Sequence, residues 1–112
     1  MRVAFFGLPI AALLLHGDGH EIVYAAICRE GAIGTRRLTR TIGRACVFLK
    51  PDLARAETIA RVKRTKPDLV VSWFWTTKIP MEIVGAATMG GFGVHPSLLP
   101  RHRGPDPYFW AI

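Results

Sequence analysis

The chain has 112 residues, half of them hydrophobic, and a formal net charge of +7. That length and apolar content hold one domain with a real core, and they exclude a disordered tail. Two cysteines, Cys28 and Cys46, allow at most one disulfide and have no paired metal-ligand spacing, so two small buried thiols, a reducing cytoplasmic setting and no metal site are expected.

The positive charge is unevenly placed. Arg29, Arg36, Arg37, Arg40, Arg44, Lys50, Arg55, Arg61, Lys63, Arg64 and Lys66 face only Glu30, Asp52 and Glu57 over the same stretch. Such a field attracts phosphates or nucleic acid, and it equally describes a solvated face.

In chain order, Val3–Phe6 reads as a strand stopped by Gly7, and Pro9 opens a helix at its first position, where a missing N–H does no harm. The uncharged run Val3–Leu15 after Arg2 is also compatible with a secretory h-region. It falls short of the roughly 20 residues that span a bilayer, and no membrane partner is expected. Gly17-Asp18-Gly19 ends the helix, and Ile22–Ile27 is a second apolar strand, which makes a compact unit with parallel strands. The loop at Gly7 carries no G-x-G-x-x-G pattern, so a dinucleotide is not expected.

Residues 31–43 read as a basic loop with room for a short helix. Cys46–Leu49 is a brief third strand, Asp52 is an N-cap candidate, and Leu53–Lys66 is helical with Ala56, Ile59 and Ala60 as its apolar stripe. Pro67 stops it. Asp68–Trp75 is too continuously apolar for a half-exposed strand and is placed in the centre of the sheet, with Trp73, Phe74 and Trp75 as core. Thr76–Ile79 leaves its carboxyl end, Pro80–Val84 is a short helix, and Phe92–His95 is a further strand ended by Pro96. Asp106 and Pro107 then open a helix near Tyr108. The helix at Tyr108 has little more than one turn before Ile112, and a last strand ending at His95 has an unguarded edge. A mostly parallel α/β sheet is therefore expected, incomplete on its C-terminal side and capable of self-association through that edge.

His95-Pro96-Ser97-Leu98-Leu99-Pro100, followed by Arg103-Gly104, Pro107 and Trp110-Ala111-Ile112, resembles the signature of the folate-dependent formyltransferases. Gly7 with Pro9, His20-Glu21, Lys66–Val71 and Ile79-Pro80 agree with it in order along the chain. The resemblance implies a three-layer Rossmann-like N-terminal domain over residues 1–112, cut short. It also implies transfer of a formyl group from 10-formyltetrahydrofolate to an amine of the methionyl-tRNA, aminoribonucleotide or amino-sugar class, without a metal.

By the same resemblance His95 is the catalytic histidine that stabilises or protonates the developing oxyanion, a task suited to a pKa near 6.5. Thr77, Lys78, Ile79, Pro80 and Val94 would bind the folate, and Gly7, Leu8, Pro9, Ser97 and Arg103 the acceptor substrate. Two departures stand beside these matches. Gly93 occupies the place of the family's asparagine and has no side-chain amide to offer, and the family's catalytic aspartate lies beyond Ile112. A non-catalytic basic module for RNA or phosphate, and a formyltetrahydrofolate hydrolase, are the alternative readings. His102 reads as an exposed loop residue.

Overall fold

The computed structural model describes residues 1–94. Within them the chain forms β1 (Arg2–Gly7), α1 (Pro9–Gly17), β2 (Glu21–Ile27), α2 (Thr35–Ile42), a 3₁₀ turn (Arg44–Cys46), β3 (Val47–Leu49), α3 (Ala56–Arg64), β4 (Leu69–Trp73), α4 (Met81–Val84) and β5 (Gly91–Val94). Each strand pairs in parallel with its neighbours, in the order β3-β2-β1-β4-β5. Parallel neighbours need crossovers, and the helices supply them.

Helices cover both faces, which is why the inner strands are apolar throughout instead of alternating. On one face Ala11 and Ala12 of α1 and Leu38 of α2 pack with Val3, Phe5, Ala25, Ile27 and Val71. On the other, Val62 of α3 and Ile83 of α4 pack with Ala4, Phe6, Tyr24, Val70 and Trp75. The result is the expected three-layer, Rossmann-like α/β arrangement. Arg2 braces its lower edge: its guanidinium donates to the carbonyls of Thr65 and Lys66 at the end of α3 and pairs with Glu21 at 3.3 Å.

Several expectations are corrected. The helix expected from Leu53 begins only at Ala56, with Arg55 as its N-cap residue and no side-chain cap. Asp52 instead accepts from the Ala54 N–H at 3.0 Å, which closes a turn and sends Leu53 into the core. The buried face of α3 is accordingly rotated: Ala56 is exposed, while Val62 is fully buried and Ile59 packs partly. β4 is flanked on both sides, but β1 holds the middle of the five described strands. β4 ends at Trp73 because Phe74 takes a left-handed φ of 63°, and Trp73 is exposed instead of core. Both cysteines are half-buried, not buried, and free.

Candidate active site

The chain winds outward from β1 to β2 and β3, then crosses back to β4 on the other side of β1. At this reversal the connections that follow β1 and β4 leave toward opposite faces of the sheet, α1 on one and α4 on the other, at the carboxyl ends of the two strands. Ligands of open α/β sheets bind in that position.

Hydrogen bonds carry the sheet pattern one residue beyond the strand ends there. The Cys28 N–H donates to the Gly7 carbonyl at 3.1 Å, Leu8 N–H to Trp73 at 3.2 Å, and Phe74 N–H to Val94 at 3.0 Å. Gly7 sits at φ 148°, and a Cβ on it would overlap the Trp73 carbonyl. Only glycine lets β1 and β4 approach so closely where the loop to α1 departs. Leu8 then serves as the N-cap residue of α1 without a side-chain cap, and buried Pro9 begins the helix.

From Phe74 the chain forms a loop held at both ends. Trp75 and Ile79 are both buried in the core cluster beneath the sheet, whereas Thr76, Thr77 and Lys78 between them are exposed. The Trp75 indole N–H donates to the Thr77 hydroxyl at 2.8 Å. Pro80, half-buried, is the N-cap residue of α4. Thr77, Lys78, Ile79, Pro80, Val94, Gly7, Leu8 and Pro9 therefore lie along one edge of one sheet. Ile79 is buried as a whole residue and anchors the end of the loop in the core. His95, Ser97, Arg103, His102 and the helix expected near Tyr108 lie outside the described residues.

Gly93 is buried in β5 in register with Ser72, whose side chain is also buried. Burial pushes the Cys28 thiol above its ordinary range, against the lowering pulls of a backbone hydrogen bond and of Arg29. A protonated thiol is a poor nucleophile, so Cys28 contributes packing here. Among the described residues no group of His, Cys, Asp and Glu side chains is placed to hold a metal ion.

Beside this edge, at the ends of β2 and β3, lies a cavity of about 730 Å³ bordered by Arg36, Arg37 and Arg40 of α2, with Glu30 the single acid lining it among the described residues. These arginines are exposed and form no ion pair among the described residues, where Arg55 and Arg61 share Glu57. The glycine-bounded arginine run signalled this region without giving it a shape. The role of the Trp75 indole was missed, although Trp-x-Thr at the end of an apolar run was a readable signal.

A protein-family profile described as "Formyl transferase" matches residues 20–112. Two curated relatives, the methionyl-tRNA formyltransferases of Ehrlichia ruminantium strains Gardel and Welgevonden, are each 32% identical to this chain over 125 aligned residues. The alignments take in all of this chain and 41% of each relative, so the chain spans about two fifths of their length.

Proposed function

The chain belongs to the formyl transferase family, and from that premise we propose that it binds 10-formyltetrahydrofolate at the β1–β4–β5 edge and takes part in passing its formyl group to an amine. The observation that carries this reading is the convergence at one switch point of three parts: the Gly7–Pro9 turn, the exposed residues Thr76–Lys78, and Val94, the residue before His95. A flat heterocycle rich in donors and acceptors suits a loop such as Thr76–Lys78, whose backbone groups form no backbone hydrogen bond among the described residues.

In this reading the loop Thr77–Pro80 and Val94 hold the folate, and Ser97 and Arg103 with the Gly7–Pro9 turn orient the acceptor. His95 donates a hydrogen bond to the formyl oxygen as charge gathers on it during attack by the amine. Gly93 offers that oxygen no side-chain donor. The same reading has the reaction proceed without a metal, in a cytoplasmic setting.

For the acceptor we favour an aminoacyl-tRNA. The relatives named above are methionyl-tRNA formyltransferases, and Arg36, Arg37 and Arg40 border a cavity beside the same edge. Phosphate contacts through these arginines make binding salt-dependent. Replacing all three by glutamine should weaken tRNA binding and lower its salt slope by about 2 to 3.

The direct test is a transfer assay from 10-formyltetrahydrofolate to methionyl-tRNA, an aminoribonucleotide and an amino-sugar nucleotide. Transfer to one of them, reduced on the order of 10²-fold or more by His95→Asn, is expected. Transfer indifferent to that substitution, or formate release with no amine formylated, contradicts the reading.

A further inference from the structure

The exposed loop between β4 and α4 has more internal support than its position requires. Phe74 starts it in a left-handed conformation that disfavours non-glycine residues, and its N–H is bound to the Val94 carbonyl at 3.0 Å. Trp75 turns inward and meets Phe6 edge-on, with ring centroids 5.9 Å apart. Phe6 contacts Tyr24 at 5.6 Å, and Tyr24 stacks on Phe48 at 4.8 Å. The indole is thus the last ring of an aromatic row that begins on β3, and its position is set by the core. Its N–H is the part that does not belong to the core: it points out of the cluster to the Thr77 hydroxyl at 2.8 Å.

We propose that Trp75 and Thr77 form a latch that holds the three exposed residues Thr76–Lys78 in the shape that receives the folate ring, with Trp75 acting as a positioning residue through Thr77. This rests on the folate-binding reading of the same edge. Three constraints converge on the loop. Trp75 and Ile79 fix its two ends in the core, the Phe74–Val94 bond ties its start to the strand leading to His95, and the indole–hydroxyl bond restrains its middle. Without that bond the exposed residues retain their anchors but sample more backbone conformations, and a ligand read by backbone groups must then order them on binding. A buried indole N–H needs a partner, and the one it finds here is a hydroxyl of the exposed loop.

The test uses the full chain and 5-formyltetrahydrofolate as a non-transferring probe, with affinity measured by calorimetry. Amide hydrogen exchange at Thr76, Thr77 and Lys78 is followed in parallel. Trp75→Phe removes the donor and keeps an aromatic ring, Thr77→Val removes the acceptor at nearly constant volume, and Thr77→Ser restores a hydroxyl. The latch predicts that Trp75→Phe and Thr77→Val each weaken binding about fivefold and speed exchange of the loop amides. The double variant should be no weaker than the singles, and Thr77→Ser should recover the slow exchange of the loop amides that Thr77→Val loses.

Parent-like affinity and exchange in Thr77→Val overturn the latch while leaving the folate reading intact. Fully additive losses in the double variant overturn it as well. Absence of binding by the parent chain overturns the folate reading and the proposal with it. Thr77→Val leaves the core untouched, so a folding defect in Trp75→Phe does not decide the outcome.

Discussion

The backbone of Trp73 occupies the space that a side chain on Gly7 would need, and the Leu8 N–H beside it donates to the Trp73 carbonyl. The two central strands are locked together at the point where the candidate site opens. A methyl group at Gly7 would both meet a backbone atom and place an L-residue at φ 148°, two costs that side-chain repacking cannot relieve. Gly7→Ala is expected to lower stability by about 3 kcal/mol or more, read as a fall in the urea midpoint. A midpoint within experimental error of the parent would show that β1 and β4 separate easily, and the site would lose its rigid floor.

Lys66 offers the opposite experiment. It follows the last turn of α3 at φ 49°, a left-handed position that helices usually end with glycine, and its side chain is exposed. The bracing contact from Arg2 uses its carbonyl, which any residue retains. Lys66→Gly should therefore stabilise the chain, or at worst leave it unchanged within about 1 kcal/mol, while Lys66→Val should destabilise it. The same denaturation series measures both. A loss in the glycine variant equal to that in the valine variant would contradict the assignment.

Tyr24 carries a buried hydroxyl that has no hydrogen-bond partner among the described residues. Burial pushes its pKa up to about 12, with Arg61 pulling the other way. The folded value lies above the unfolded value of about 10, so the neutral hydroxyl's contribution is fully present below pH 10. Between about pH 10 and 12 the unfolded chain releases this proton while the folded chain retains it, and stability falls as pH rises. Tyr24→Phe keeps the stack on Phe48 and removes the orphan hydroxyl. At neutral pH it should be as stable as the parent or more stable by about 1 kcal/mol. Its alkaline decline should be shallower, as followed by denaturation midpoints across that range. An identical alkaline decline in both chains would place the titration elsewhere.

The strands were legible because a parallel sheet covered on both faces turns its sequence into apolar runs, and Val3–Phe6 and Ile22–Ile27 are such runs. The start of α3 was not, for a specific reason. An aspartate that closes a turn and one that caps a helix use the same oxygen on nearby N–H groups, and Asp52 does the former. Nor does hydrophobicity reveal that Phe74 adopts a left-handed conformation, which ends β4 and turns Trp73 outward while Trp75 turns in. The candidate site's location was expected from His95 and its neighbours through family resemblance. Its construction from the Gly7–Trp73 contact and the Trp75–Thr77 bond depends on pairings distant from that motif, which one sequence does not display.

The central claim is that the folate lies across the ends of β1, β4 and β5, and the most direct measurement is an amide NMR titration of the chain with 5-formyltetrahydrofolate up to millimolar concentration. The account predicts saturable shifts concentrated at Leu8, Thr76–Ile79, Val94 and His95, with the α2 arginine face little affected. Shifts confined to Arg36–Arg40, or none at any residue, would contradict it.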